Sequence, residues 1–214
     1  CTSPTLRKEI RELTPNELTT FISAINTLKR TGVYDTFSQI HYSNNLHSHG
    51  VPAFLPWHRE FLYLFEKELQ KVNPSIILPY WDWSLDSQSP ELSIIFELFG
   101  GNGNHQLNGD NCILNGPFKA WNCSIPEFHC LRRDFDLNDK ISAFYSPEAI
   151  ELLLRDSLNY NDFRLALEAL PHAKVHSGIG GKNGDIMTMF SSNDPLFFLH
   201  HVFIDQLWFE WQLR

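Results

Sequence analysis

Read as apolar and polar positions, the chain divides into two helical stretches around a long irregular one. Thr14-Pro15-Asn16-Glu17 has the form of a capping box with proline at the first helical position. Behind it Leu18, Phe21, Ile22, Ile25 and Leu28 recur at helical steps on one face, and Gly32 supplies the stop. A second helix is expected from about Tyr34 to Asn44, carrying His41. A third is expected to open at Pro56, run through Trp57, His58, Phe61, Leu62 and Phe65 to Leu69, and end at Asn73-Pro74. From Ser84 to Asn138 the periodicity disappears, with GGNGNHQLNGDN at the centre. Helical pattern resumes at Ser146-Pro147, continues through FRLALEAL and is expected to break at Pro171, with PHAKVHSG as a short turn. Asn193-Asp194-Pro195 caps a last long helix, LFFLHHVFIDQLWFEWQLR. The expected architecture is mainly α, a helix bundle with long loops.

Composition narrows this. With 214 residues, 43% hydrophobic and 14% aromatic, the chain is long and apolar enough for one domain, taken as 1-214, with a proper core. Its 17 Phe and 6 Trp suggest a wide interior with aromatic walls. The net charge is −8 and no basic stripe stands out, which argues against a nucleic-acid partner. SIILPYW and PLFFLHHVFI are far shorter than the ~20 residues of a membrane span, so no membrane partner is expected. Four cysteines, Cys1, Cys112, Cys123 and Cys130, lack CxxC spacing. They read as two disulfides with three possible pairings, stapling the irregular region. Asn122-Cys123-Ser124 is a glycosylation sequon, and a start at Cys1 without Met fits a removed signal peptide. Together these point to a secreted, extracellular protein.

The candidate chemistry lies in the ten histidines. In LHSHGVPAFLPWHRE, His47, His49 and His58 are strung along an apolar segment that runs into a helix. His172 and His176 stand four apart, one turn on one helical face. His200 and His201 sit inside a strongly apolar helix, where a neutral imidazole needs a hydrogen-bond partner or a metal. Helical neighbours point about 100° apart, so the two cannot easily serve one ion. Asp205, one turn beyond His201, is expected to orient that ring, which favours His201 as a ligand. Three imidazoles from each half would make two three-His sites. Imidazole suits zinc, copper, iron and nickel alike, and three His with an open position is also the catalytic zinc pattern. The residues alone therefore lead to a buried site for two metal ions without naming the metal.

HGVPAFLPWHREFLYLFEKELQ resembles the first copper-binding signature of the tyrosinase family, the type 3 copper group of tyrosinases, catechol oxidases and molluscan haemocyanins. NDPLFFLHHVFIDQLWFEWQ resembles the second, and PYWDW and FRLALEALPHAKVHSGIGG are similar to further family segments. The resemblance runs from about Thr14 to Leu213 and is weakest over Ser84–Asn138. It implies a four-helix bundle holding a dinuclear copper site with long disulfide-stapled loops. It makes His41, His49 and His58 the ligands of copper A, and His172, His176 and His201 those of copper B. The cofactors implied are two copper ions, with dioxygen as co-substrate and a small phenol as the partner. Phe197 matches a family phenylalanine packed beside the coppers, and is at the same time an ordinary core aromatic. Glu168, through FRxxLE, matches a family carboxylate proposed to hold a water that helps deprotonate the phenol; the plain alternative is a surface glutamate.

Two departures bear on activity. Position 47 is often a cysteine that forms a thioether to a copper A histidine; here it is His47, read as a loop residue rather than a ligand. The residue after the first copper B histidine is often asparagine in efficient tyrosinases; here it is Ala173, which offers no side-chain hydrogen bond. The resemblance thus implies a polyphenol oxidase that converts o-diphenols to o-quinones, with monooxygenase action on monophenols the weaker expectation. The alternative is a haemocyanin-like dioxygen carrier, which needs its pocket covered. A zinc hydrolase built on one three-His site would leave three matched histidines unexplained. No separate lid domain is expected within this chain, although a lid or pro-segment removed by cleavage would lie outside it. A substrate gate is expected within Met187–Ser192, and His105 and His129 are read as structural or solvated.

Overall fold

The computed structural model describes residues 6–104 and 110–214. Cys1 and His105 lie outside the described residues, and so do the expectations placed on them. Helix α1, Pro15–Arg30, opens on the predicted capping box: Glu17 N–H donates to Thr14 Oγ1 at 3.2 Å, and Thr14 N–H donates to the Glu17 carboxylate at 2.8 Å. Phe21, Ala24, Ile25 and Leu28 form its buried face. Gly32, at φ 78°, turns the chain into α2, Val33–Ser43, in a left-handed conformation that favours glycine. A single turn, α3, Asn45–Ser48, leads towards α4, Phe54–Val72. Helix α4 begins two residues before Pro56, because a first-turn proline lacks an N–H that would have no helical partner there.

The predicted irregular region contains little regular structure: a short helix, α5, Ile94–Phe99, and a two-residue ladder of β1, Asn122–Cys123, against β2, His129–Cys130. Among the described residues one disulfide, Cys112–Cys130, staples the region internally, with Cα atoms 5.6 Å apart. Cys123 is a buried free thiol, so the expectation of two disulfides is corrected. The ladder register explains this, since successive strand residues point to opposite faces and Cys123 faces inward with His129 while Cys130 does not. Arg133, fully buried, ties the region to the bundle through paired hydrogen bonds to Asp194 at 2.7 and 2.8 Å. It also donates to the carbonyls of Phe99 and Gly100. Asp194 in turn accepts from Leu196 N–H at 3.0 Å and so starts the last helix.

The second half departs from the expected single helix. Helix α6, Pro147–Asp156, is separated from α7, Tyr160–Leu167, by Asn159, whose side chain accepts from Asp162 N–H at 3.1 Å and caps the new helix. Pro171 does not break the chain. It sits in a π-helical turn, Glu168–His172, that continues directly into α8, Ala173–Gly180. A wider turn relieves the clash of the proline ring with the carbonyl four residues back and tolerates the missing donor. PHAKVHSG is therefore helix rather than turn. Helix α9, Leu196–Gln212, is buried over most of its length and packs along α4. With α1 against α2 and α4, this leaves α2, α4, α8 and α9 around one interior that holds the histidines. Among the described residues no helix is long and apolar enough to cross a membrane.

Candidate metal centre

The fold gathers the predicted histidines into two adjacent sets. His41 comes from α2, His58 from α4 and His49 from the link between α3 and α4; their ring centroids lie 5.0 to 5.6 Å apart. His172 ends the π turn, His176 follows on α8 and His201 comes from α9, with centroids 4.6 to 5.5 Å apart. The potential ligand atoms of each set lie within 4.8 Å of one another. His58 and His201 stack at 4.4 Å and join the sets.

One nitrogen of most of these rings is already committed. His41 Nδ1–H donates to the Met189 carbonyl at 3.1 Å, His58 Nδ1–H to Phe54 at 2.7 Å, and His172 Nδ1–H to Glu168 at 3.0 Å. His176 Nδ1–H donates to the Ile186 carbonyl, and His49 Nδ1 meets Ser48 Oγ at 2.9 Å. A proton fixed on Nδ1 leaves Nε2 with a lone pair. The Nε2 atoms of His41, His58 and His172 are buried with no partner. Those of His176 and His201 stand 3.3 Å apart, the spacing of two nitrogens that share one ion at about 2.0–2.1 Å. Burial lowers the affinity of the rings for protons: His41 falls to about 3 and His176 to about 4, and His58, His172 and His201 lie well below the usual imidazole value. Neutral, desolvated imidazoles with unpartnered lone pairs facing one another are what two cations need.

A third cluster shows the opposite chemistry. Cys123, His129 and Asp185 also lie within 4.8 Å of one another. There His129 Nε2 meets Asp185 at 2.8 Å, its Nδ1 meets the Glu127 carbonyl at 2.7 Å, and Asp185 also accepts from Arg132 N–H and Asn193. The hydrogen bond to Asp185 raises the pKa of His129, while burial pushes that of the Cys123 thiol up. With each acceptor paired and the thiol held neutral, this is a structural network, in line with the structural reading of His129.

Tertiary contacts also separate the two adjacent histidines. The Trp83 indole donates to His200 Nδ1 at 3.1 Å. Indole is a donor only, so this nitrogen of neutral His200 accepts and the proton sits on Nε2. In this tautomer His200 Nε2, buried and without a partner, carries a proton rather than a free lone pair, which sets it apart from His201 although both lie in the set. The expected orienting role of Asp205 is corrected: its carboxylate pairs with Arg59 at 2.5 Å and Arg7 at 3.2 Å, and His201 Nδ1 is unpartnered. The Asp205 side chain is drawn outward by two guanidinium groups. His47 is exposed, and no metal-binding group among the described residues includes it.

Phe197, fully buried, lies against both sets, 4.1 Å from His201 and 4.8 Å from His41 between ring centroids. Ala173 lines a cleft of about 150 Å³ with His49, His172 and His176, and Met187 and Thr188 border it. A larger cleft, about 630 Å³, lies by Leu154 and Trp211 and is lined by no histidine. The Glu168 carboxylate accepts Gly50 N–H at 2.6 Å and pairs with Arg164 at 3.2 Å. Residues 187–189 thus border the cleft, and the main-chain carbonyls of Ile186 and Met189 orient one histidine of each set. Sequence reasoning missed these acceptors and Trp83. Main-chain carbonyls carry no residue signature, although the acceptors of His58 and His172 are each the fourth residue back on a helix and could have been read from the helix alone.

The site's donor set fits a pair of copper ions, and comparison with known proteins agrees. A family model of the common central domain of tyrosinase matches residues 31–214. A tyrosinase of Streptomyces antibioticus is 36% identical, over 98% of this chain and 84% of its own length. A tyrosinase-like protein of Diaporthe leptostromiformis, phomQ1', is 35% identical over 100% of this chain, which spans only 65% of that relative's length. A polyphenol oxidase structure from Thermothelomyces thermophila superposes with a TM-score of 0.78 at 21% identity, covering 97% of this chain and 70% of that one, which speaks for the fold. The sequence, the helical bundle and the two opposed histidine sets converge: the chain belongs to the tyrosinase family, whose dinuclear copper site its histidines fit.

Proposed function

We propose that this protein is a type 3 copper oxidase that couples dioxygen reduction to the oxidation of o-diphenols. His41, His49 and His58 hold one copper and His172, His176 and His201 the other. The observation that carries this reading is the set of buried, unpartnered Nε2 atoms beside a cleft open at Met187, which is 46% exposed. Bound there, the copper pair supplies the redox chemistry: two o-diphenols and one dioxygen give two o-quinones and two waters. The chain's own residues fix ligand tautomers through main-chain carbonyls, exclude water with Phe54, Phe61 and Phe197, and shape a slot for a flat ring between His49, His172 and Ala173. Because Ala173 offers no hydrogen bond to guide a monophenol proton, diphenol oxidation is the stronger activity. The Cys112–Cys130 disulfide supports an oxidising, extracellular setting.

The test is copper content per chain together with oxygen uptake on a catechol and on the matching monophenol. Two coppers and rapid uptake with catechol are expected, with slower uptake on the monophenol. His58→Ala is expected to hold one copper and lose turnover. Full activity with a single copper would overturn the dinuclear reading. Two coppers with reversible oxygen binding and no turnover would move the chain to the carriers.

A further inference from the structure

We infer that Glu168 is a positioning residue that ties the two metal half-sites to one another. This rests on the two-copper reading above. The main-chain carbonyl of Glu168 accepts His172 Nδ1–H at 3.0 Å, and its side-chain Oε1 accepts Gly50 N–H at 2.6 Å. Gly50 directly follows His49. One residue therefore orients a ligand of the second set through its backbone and the loop bearing a ligand of the first set through its side chain.

The arrangement compensates for a weakness of the first set. His41 and His58 ride on long helices, whereas His49 stands in an extended conformation after a single helical turn. The His49 ring is held on its own side by short-range partners, the hydroxyl of its neighbour Ser48 and the backbone of Asn45. Gly50 has φ +70° and no side chain with which to anchor the loop. Two contacts from the α7–π segment supply the anchor. Glu168 holds Gly50 N–H, and the Tyr160 hydroxyl donates to the Pro52 carbonyl at 2.5 Å. Glu168 is itself fixed, because its Oε2 faces the Nη1 of buried Arg164 at 3.2 Å, and Arg164 Nη2 donates on to Asn161 at 3.4 Å. Each carboxylate oxygen is engaged by a protein donor. The π turn forced by Pro171 puts the carbonyl and the side chain of Glu168 on the two routes at once. Partners that orient ligands govern metal affinity as well as geometry.

The test separates the two routes, because substitution deletes the side chain and keeps the carbonyl. In His201→Ala only the first set is complete. Adding Glu168→Ala there is expected to weaken Cu(I) binding, read by competition with a Cu(I) chelator, by about ten- to a hundredfold. In His58→Ala only the second set is complete, and the same addition is expected to change affinity by less than about threefold, since the acceptor of His172 remains. Glu168→Gln retains an oxygen for Gly50 N–H and is expected to recover most of the loss in the first background. Tyr160→Phe is expected to weaken the same site, by less. Equal losses in both backgrounds, no loss in the first, or no recovery with glutamine would overturn the bridge. A parent chain that binds no copper would instead overturn the two-copper reading.

Discussion

At the scale of single residues, a tryptophan that sequence reasoning did not place sets His200 and His201 apart. Both rings are buried in the same set, and their position in the helix does not tell which one ligates. The Trp83 N–H distinguishes them by occupying the lone pair of His200 Nδ1 and leaving a proton on Nε2. Trp83→Phe removes that donor and frees the tautomer. With Co(II) in place of copper as a spectroscopic probe, the visible absorption of the variant is expected to change towards a higher coordination number as His200 joins the second site. An unchanged spectrum at unchanged metal content would mean that position alone keeps His200 out. Phe197 shows how residue roles overlap. Its expected place beside the metal ligands and its place in the core are the same contact, which is why an apolar helix position could be read from sequence.

Elements are held by a few buried polar contacts as much as by apolar faces. The Arg133–Asp194 pair joins the irregular region to the start of α9, and α9 delivers Phe197 and His201. Breaking one side of a buried pair leaves the other charge without a partner, a cost of about 3–5 kcal/mol. Asp194→Ala is therefore expected to destabilise the protein by that order, measured by denaturant unfolding of the metal-free form. A cost under about 1 kcal/mol would show that α9 is started by its apolar packing alone. The boundaries of α1 and α2 were legible because capping boxes and left-handed glycines act locally. The π turn at Pro171 was not, because a proline signals a disturbed hydrogen-bond ladder and not whether the neighbouring packing tolerates it.

For the whole molecule, burying so many neutral imidazoles couples stability to pH. His41 and His176 move from 6.5 to about 4 or below in the folded chain, so below about pH 6.5 the unfolded chain takes up protons that the folded chain does not. Their contribution to stability is accordingly lost as pH falls from about 6.5 towards 4. His129 works in the opposite sense: its pKa is raised, so its contribution is full below the ordinary imidazole value and lost as pH rises through the folded one. The seven depressed rings outnumber it. The metal-free Tm is expected to fall between pH 7 and pH 5, and the rise in Tm on adding copper to shrink over the same range, because ligation needs the neutral ring. Thermal melts with and without copper across that range check both. A metal-free Tm that stays flat would mean that the rings are not buried neutral.

The helices with local stop and start signals and the apolar faces they bury were legible in the sequence alone, because caps and periodicity are written within a few residues, and the histidine-bearing segments could be singled out there. The sequence also carried the family, since the two histidine-bearing segments keep their order and their flanking residues. The remaining features came from contacts between distant parts of the chain. The tertiary structure paired Asp205 with arginines instead of His201, left Cys123 unpaired behind Cys130, carried a helix through Pro171, and gave the clustered histidine rings their carbonyl acceptors. Each of those outcomes depends on which distant groups meet in space. Hydrogen-bond partners chosen across more than a hundred residues, as between His41 and Met189 or Gly50 and Glu168, leave no periodic trace along the chain.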